Sequence, residues 1–296
     1  SESSHGQTLV LTEVLESRLQ EDRLLDARGV EVEVGPYERI VSLNTIADHL
    51  LLDLVEPDRL VGITRYTKSG HADSWRFGDR VTVGRSEDLE EVLGLQPDLV
   101  VVSAFSDEAY MARLRERGIA VFDLGDMRGV DSTLEDIRLL GVLLELEERA
   151  ETLIRSFRRE LEALEKRGEA RGRPWGLYLN IVADSFFGGT RSSSYADMLH
   201  YGGVQDLAAD HGYVEWPRYN PEQILEMNPD LLVTQSGMGE VICAHSTLAR
   251  LAACSDSGTI LELRGDYQLD PGRGLVRAAS QIQSMLDSMA SSSPSP

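Results

Sequence analysis

Three aromatic residues, Tyr66, Phe187 and Trp216, fall in loops that follow predicted strands or precede predicted helices. Flat apolar faces at such places suit a ligand with a large ring system, because aromatic rings bury much area and stack well. Trp75 and Phe105 occupy further loops of the first half, together with Arg76 and Arg85. An arginine at a loop mouth pairs readily with a carboxylate or phosphate. The competing reading is structural: each aromatic packs beneath its own loop and each arginine is a solvated charge.

Other chemistries find little support. The six histidines, His5, His49, His71, His200, His211 and His245, form no His-x-x-x-His pair and no Cys/His cluster with zinc spacing. No metal site and no catalytic residue is therefore expected. The chain carries no Walker loop, no Gly-x-Ser-x-Gly elbow and no strand-linked Gly-x-Gly-x-x-Gly. Gly188-Gly189-Thr190-Arg191 precedes a predicted helix, where backbone N–H groups can receive an anion; a plain small-residue turn is the alternative.

The elements that position these residues announce themselves through a repeat. Leu89-Glu90-Glu91-Val92-Leu93-Gly94-Leu95-Gln96-Pro97-Asp98-Leu99-Val100-Val101 matches Pro221-Glu222-Gln223-Ile224-Leu225-Glu226-Met227-Asn228-Pro229-Asp230-Leu231-Leu232-Val233. Each copy reads as a short amphipathic helix, a Pro-Asp stop and an apolar strand, since proline cannot continue a helix. The repeat implies two similarly built α/β lobes. Glu90 and Glu222 occupy the same place in both copies, at a helix start where the dipole favours a carboxylate.

Further strands are expected at Val30–Val34, Ile40–Leu43, Leu60–Ile63, Gly118–Phe122, Trp175–Asn180 and Thr259–Leu263, with helices between them. Such alternation predicts parallel sheets. Ser132-Thr133-Leu134-Glu135 matches a capping box. Leu146, Ala150, Leu153, Phe157, Leu161 and Leu164 then form one apolar stripe, with Glu151–Arg155 and Glu162–Lys166 as i,i+4 pairs. That helix lies between the repeat copies and is expected to join the lobes, ending near Gly168, Gly172 and Pro174. A final helix is expected over Gly274–Met289.

The boundaries expected are an N-terminal extension over 1–25, polar and amphipathic and read as an added helix, an N-terminal lobe over 26–145, a linker helix over 146–168, a C-terminal lobe over 169–290 and a disordered tail over 291–296. The chain has 296 residues, 42% of them hydrophobic, and a net charge of −21 from 29 basic and 50 acidic side chains. That balance opposes a nucleic-acid partner, whose phosphates require a basic face. The chain opens Ser-Glu-Ser-Ser-His-Gly with no basic-then-apolar leader. Cys243 and Cys254 would sit about 16 Å apart in one continuous helix, whereas a disulfide needs about 4.4–6.8 Å between Cα atoms. A bridge between them requires a short helix with irregular flanks.

Taken in order, Arg39-Ile40-Val41-Ser42-Leu43, Leu60-Val61-Gly62-Ile63-Thr64, the two Pro-Asp-Leu copies, Gly118-Ile119-Ala120-Val121 and the helix from Leu275 resemble one family. It is the substrate-binding proteins of ABC importers that carry iron-siderophores, haem or cobalamin. The resemblance spans about residues 26–288. It implies two Rossmann-like lobes with parallel sheets, joined by one long rigid helix, with the ligand in a cleft between them. It also implies a periplasmic or otherwise extracytoplasmic location, with a leader and possible lipid anchor upstream. The partners implied are a small-molecule ligand and an ABC permease dimer with its ATPase subunits, with the binding protein itself a monomer. No cofactor is implied; the ligand is the metal-bearing species.

Cobalamin-binding members resemble this chain most closely. They have aromatic residues where Tyr66, Phe187 and Trp216-Pro217 stand, and an aspartate where Asp266 stands. Two of their tryptophans are replaced, one by Gly84-Arg85 and one by Ser103, and their second-lobe arginine falls near Leu269. The ligand contacts expected are thus Tyr66, Phe187, Trp216 and Asp266, with Arg85 and Ser103 at the replaced positions, all from the resemblance, and Trp75 and Phe105 from their place in first-half loops. Glu90 and Glu222 are the implied docking points for permease arginines. Cobalamin is the first expectation, and haem or a ferric siderophore the second. A two-lobed enzyme or sensor is the alternative of another class, since fold does not fix function.

Overall fold

The computed structural model describes residues 15–68, 74–84, 89–104, 107–264 and 272–292. Its contacts divide the chain into two compact units, Ser1–Met127 with Asp131–Phe157, and Arg128–Val130 with Arg158–Pro296.

The first unit opens with an antiparallel ribbon of β1 (Leu19–Gln20), β2 (Arg23–Leu25) and β3 (Glu31–Glu33). Residues 15–18 are helical, but the helix expected to extend through 25 gives way to a hairpin. Glu21 turns the chain at φ 57°, and Leu24 and Val32 point inward as a buried cross-strand pair. The main sheet contains β4 (Ile40–Ser42), β5 (Leu60–Thr64), β6 (Val81–Val83), β7 (Leu99–Val102) and β8 (Ala120–Asp123). All are parallel, in the order β6-β5-β4-β7-β8. Parallel neighbours need crossovers. These run through α1 (Thr45–Leu54), α2 (Arg65–Lys68), α3 (Leu89–Gly94) and α4 (Glu108–Glu116). The connections leave β4 and β7 in opposite directions, so the switch point of this sheet lies at their carboxyl ends.

Two long helices follow, α5 (Val130–Leu143) and α6 (Glu147–Arg171). The capping box expected at Ser132 is displaced. The helix starts at Val130, directly after Gly129 at φ 125°, which leaves Ser132 and Thr133 buried inside it. In α6 the buried stripe is Ala150, Ile154, Phe157, Leu161 and Leu164, with Ile154 taking the place expected for Leu153. Glu151 pairs with Arg138 at 2.8 Å, not with Arg155. Gly168 does not end the helix: a Cβ there would lie 3.2 Å from the Gly203 backbone, so glycine serves close packing. The stop comes at Gly172, in a left-handed conformation (φ 84°).

The second unit contains β9 (Trp175–Tyr178), β10 (Asn180–Val182), β11 (Ser185–Phe187), β12 (Gln205–Asp206), β13 (Arg218–Tyr219), β14 (Leu231–Gln235) and β15 (Thr259–Leu263). Four make a parallel sheet in the order β12-β9-β14-β15, and β10-β11-β13 form a small antiparallel sheet. Its helices are α7 (Ser194–Tyr201), α8 (Leu207–Asp210), α9 (Pro221–Met227), α10 (Met238–Ala244) and α11 (Arg273–Ser292). The tail expected to be disordered from Ser291 is helical through Ser292, with the Ser291 hydroxyl donating to the Asp287 carbonyl. Residues 293–296 lie outside the described residues.

The repeat is structural. α3 leads into β7 as α9 leads into β14, and Val92 and Ile224 are the fully buried residue of each short helix. The residue before each Pro-Asp adopts the left-handed conformation, Gln96 at φ 51° and Asn228 at φ 41°. Cys243 and Cys254 are bridged, with Cα atoms 5.6 Å apart. α10 ends one residue after Cys243, and a short 3-10 turn, Ala252–Cys254, returns the chain to it.

Candidate functional site

In each unit a candidate aromatic residue stands near the carboxyl end of a parallel strand, Tyr66 directly after β5 and Trp216 on Tyr195, which packs on Tyr178 at the end of β9. In the second unit, β9 runs into the β10-β11 hairpin and on to the loop Gly188–Ser193. The ribbon around β13 pairs with that loop: Thr190 N–H donates to the Glu215 carbonyl (3.0 Å), and Glu215 N–H to the Arg191 carbonyl (2.7 Å). Glu215 is left-handed (φ 60°). Trp216 follows it, 55% exposed, its ring edge-on to that of Tyr195. Tyr195 in turn packs on Tyr178, with centroids 4.4 Å apart. The Tyr178 phenol hydrogen-bonds with Tyr195 and Gln235, and burial pushes both phenols above their ordinary range. A buried, neutral pair of phenols thus supports an exposed indole.

Phe187 and Arg218 are cross-strand partners, with the guanidinium 6.0 Å over the ring. Arg218 also donates to the Ser185 hydroxyl at 2.7 Å. The glycine pair before Thr190 serves packing. A Cβ on Gly188 would meet the Tyr178 carbonyl at 2.3 Å, and one on Gly189 the Tyr195 ring at 2.7 Å. Thr190 donates to the Asp206 carboxylate (2.5 Å), which burial pushes upward. A carboxylate at that point disfavours the anion site considered for this loop.

In the first unit, Tyr66 lies in α2 immediately after β5 and is 62% exposed. Its turn is tied down by Asp48 of α1, fully buried, whose carboxylate accepts from Thr64 N–H (3.0 Å) and the Thr67 hydroxyl (2.6 Å). Burial pushes this carboxyl up to about 8, although the hydrogen bonds from Ser42, Thr67 and Thr64 favour its charged form. Trp75 is 76% exposed in the 3-10 turn Ser74–Phe77, beside Phe77, which is buried against His49. Arg76 pairs with Asp53 at 2.5 Å and is anchored within the unit. Ser103 is buried and its hydroxyl donates to the Gly125 carbonyl (2.7 Å), so it braces a loop. Arg85, Phe105 and Asp266 lie outside the described residues.

Glu90 and Glu222 are both exposed in the first turn of their helices. Among the described residues no group of three or more His, Cys, Asp and Glu converges on a metal position. An open groove of about 530 Å³ at the α5–α6 corner is lined by Glu145, Glu147 and Glu148 with Leu146, Arg149 and Thr152. It holds no aromatic side chain and none of the candidates. Tyr195, Asp48 and Arg218, which contact or brace candidate residues, are not among the positions singled out from the sequence. Only Arg218 left a local signal, two positions beyond Trp216 on an extended segment, hence on the same face.

Residues 40–256 match the family model described as periplasmic binding protein. An ABC transporter substrate-binding lipoprotein of Bacillus subtilis, YvrC, is 23% identical over 220 residues, covering 72% of this chain and 68% of the relative. A protein of Halobacterium salinarum named as cobalamin-binding is 23% identical over 256 residues, covering 83% and 68%. Among solved structures, the heme binding protein HmuT superposes with a TM-score of 0.71 at 22% identity, covering 89% of this chain and 90% of that one. The periplasmic heme-binding protein RhuT from Roseiflexus superposes with a TM-score of 0.70 at 24% identity, covering 83% and 98%.

Proposed function

Since the chain belongs to the periplasmic binding protein family, we propose that it is the extracytoplasmic substrate-binding protein of an ABC importer, binding a ligand without transforming it. The ligand is a bulky planar ring system, and the protein hands it to a permease. The observation that carries this reading is the exposed Trp216 indole, held over a buried tyrosine pair beside Phe187 at the carboxyl end of a parallel sheet. Indoles exposed on a rigid support are what a macrocycle needs, because the entropy of ordering the binding surface is already met. Tyr66 is the corresponding contact of the first unit.

Cobalamin and haem are both ligands of this kind. Cobalamin is named for a relative in sequence and haem for relatives in structure, and cobalamin remains our first choice, with a ferric siderophore as the alternative. Glu90 and Glu222, exposed at equivalent places of a structural repeat, are the docking points for the permease. Two like-charged points on one chain suit a partner that presents two basic points.

The test is a visible spectrum of the protein mixed separately with cyanocobalamin, haem and a ferric catecholate siderophore, then desalted. Retention of one chromophore at a one-to-one ratio supports the reading. Loss of all three on desalting overturns it.

A further inference from the structure

The N-terminal ribbon reaches the carboxyl end of β8, whose neighbour β7 borders the switch point of the first sheet. Asp26, just past β2, is buried and accepts hydrogen bonds from the N–H groups of Arg28 and Val30 (both 2.9 Å) and of Asp123 (3.2 Å). The Ala27 N–H donates to the Asp123 carbonyl at 2.9 Å. Arg28 then projects its guanidinium onto the Asp123 carboxylate (Nε to Oδ2, 2.8 Å) and onto Glu108 (2.6 Å). The Asp123 side chain is 2% exposed, whereas that of Glu108 is 78% exposed.

The second oxygen of Asp123 holds the loops. It accepts from the N–H groups of Gly125 (2.8 Å) and Ala104 (3.2 Å). Ala104 is left-handed (φ 51°), a conformation that a residue with a Cβ adopts only when its surroundings impose it. The Ser103 hydroxyl closes the arrangement on the Gly125 carbonyl. One buried carboxylate therefore fixes the chain directly after two adjacent strands. A buried carboxylate keeps such a role only while its charge is compensated, and Arg28 is the cation that the structure places on it.

We propose that Arg28 is a positioning residue for ligand binding: it holds Asp123 in place and thereby sets the Ser103–Ala104 turn at the carboxyl end of β7. The proposal rests on the reading that the carboxyl-end loops of this sheet meet the ligand. It makes the N-terminal ribbon part of the binding machinery, although Arg28 lies 71 positions before the start of β7 in the chain. The alternative is that Arg28 only fastens the ribbon to the unit.

Hydrogen exchange and ligand titration on the full chain separate the two. In Arg28→Met the amides of Ala104 and Gly125 should exchange about tenfold faster, while those of Val100 and Val121 in the strands keep their protection. Affinity for whichever of cyanocobalamin, haem or ferric siderophore the wild type retains should fall about tenfold. Arg28→Lys, which keeps a cation near Asp123, should restore most of that affinity. Glu108→Gln, which removes only the exposed partner, should bind as wild type does. Faster exchange at Ala104 with unchanged affinity overturns the proposal, leaving the broader functional reading intact. So does a lysine variant no better than methionine. A wild type that retains none of the three probes overturns the functional reading and this proposal with it.

Discussion

The indole of Trp216 stands edge-on to the phenol ring of Tyr195, with centroids 4.7 Å apart and planes at 75°. The indole is thus supported from below while more than half of it remains open to solvent. Trp216→Ala should weaken ligand binding by about 2–4 kcal/mol, the scale of an aromatic hot spot. The melting temperature should barely move, because little buried area is lost. Calorimetry paired with a thermal melt checks this. Unchanged affinity with a large drop in melting temperature would show that the side chain belongs to the core.

Asp48 predicts a pH dependence of stability. Its carboxyl, ordinarily at 3.8, is pushed up to about 8 in the folded protein. Between those values the folded state binds a proton that the unfolded chain has released. Stability therefore falls as pH rises through that window, by about 1.4 kcal/mol per pH unit from this group alone. The contribution is complete below about pH 4 and is lost by about pH 8. Asp48→Asn cannot ionise, so its stability relative to wild type should climb between about pH 5 and pH 8. Denaturant unfolding at the two ends of that range measures the difference, and a constant offset would refute it.

The disulfide closes a short loop, with its cysteines 11 positions apart. Chain-entropy bookkeeping gives about 3 kcal/mol of stabilisation for a loop of that size. Cys243→Ser with Cys254→Ser should lower the denaturation midpoint accordingly, and reductant should do the same to the wild type only. A midpoint insensitive to both would mean that the return turn is held by packing alone.

Glu90→Ala with Glu222→Ala should leave ligand affinity intact and reduce reconstituted uptake by more than the two single changes combined. Exposed ion pairs are weak one at a time, often below about 1 kcal/mol, so each single variant should look mild. Two anchors on one chain act together, because losing one frees rotation about the other. Added salt should weaken permease association, as screened charges require. Wild-type uptake by the double variant would reduce both glutamates to helix-start residues.

Much of the fold was legible because its signals are local. Pro97-Asp98 and Pro229-Asp230 each mark a helix stop and a following strand, and the runs Leu99–Val102 and Leu231–Gln235 are the buried parallel strands they seemed. The errors arose where distant residues decide. Gly168 reads as a helix stop until the Gly203 backbone is seen against it. The segment Leu19–Leu25 reads as a helix until β3 supplies its partner. The candidate site divides in the same way. Exposed aromatics beside strand ends could be picked out one by one. The groups beneath them could not, because Asp48 meets Thr64 across 16 positions and Arg28 meets Asp123 across 95.

The helix Glu147–Arg171 serves two cores in succession. Its first turns, with Ala150 against Gly141 and Ile154 fully buried, belong to the first unit, and the stretch from Arg158 belongs to the second. The first unit is therefore incomplete until residue 157 has been synthesised, and the second, apart from Arg128–Val130, begins in the middle of a helix whose first turns belong to the first. Helix initiation is the slow and unfavourable step, whereas extension is easy. The order of synthesis thus gives the later unit a ready-made first element, and a break between Ile154 and Leu161 would leave Ala150 and Ile154 with the first unit while depriving the second of its folding template.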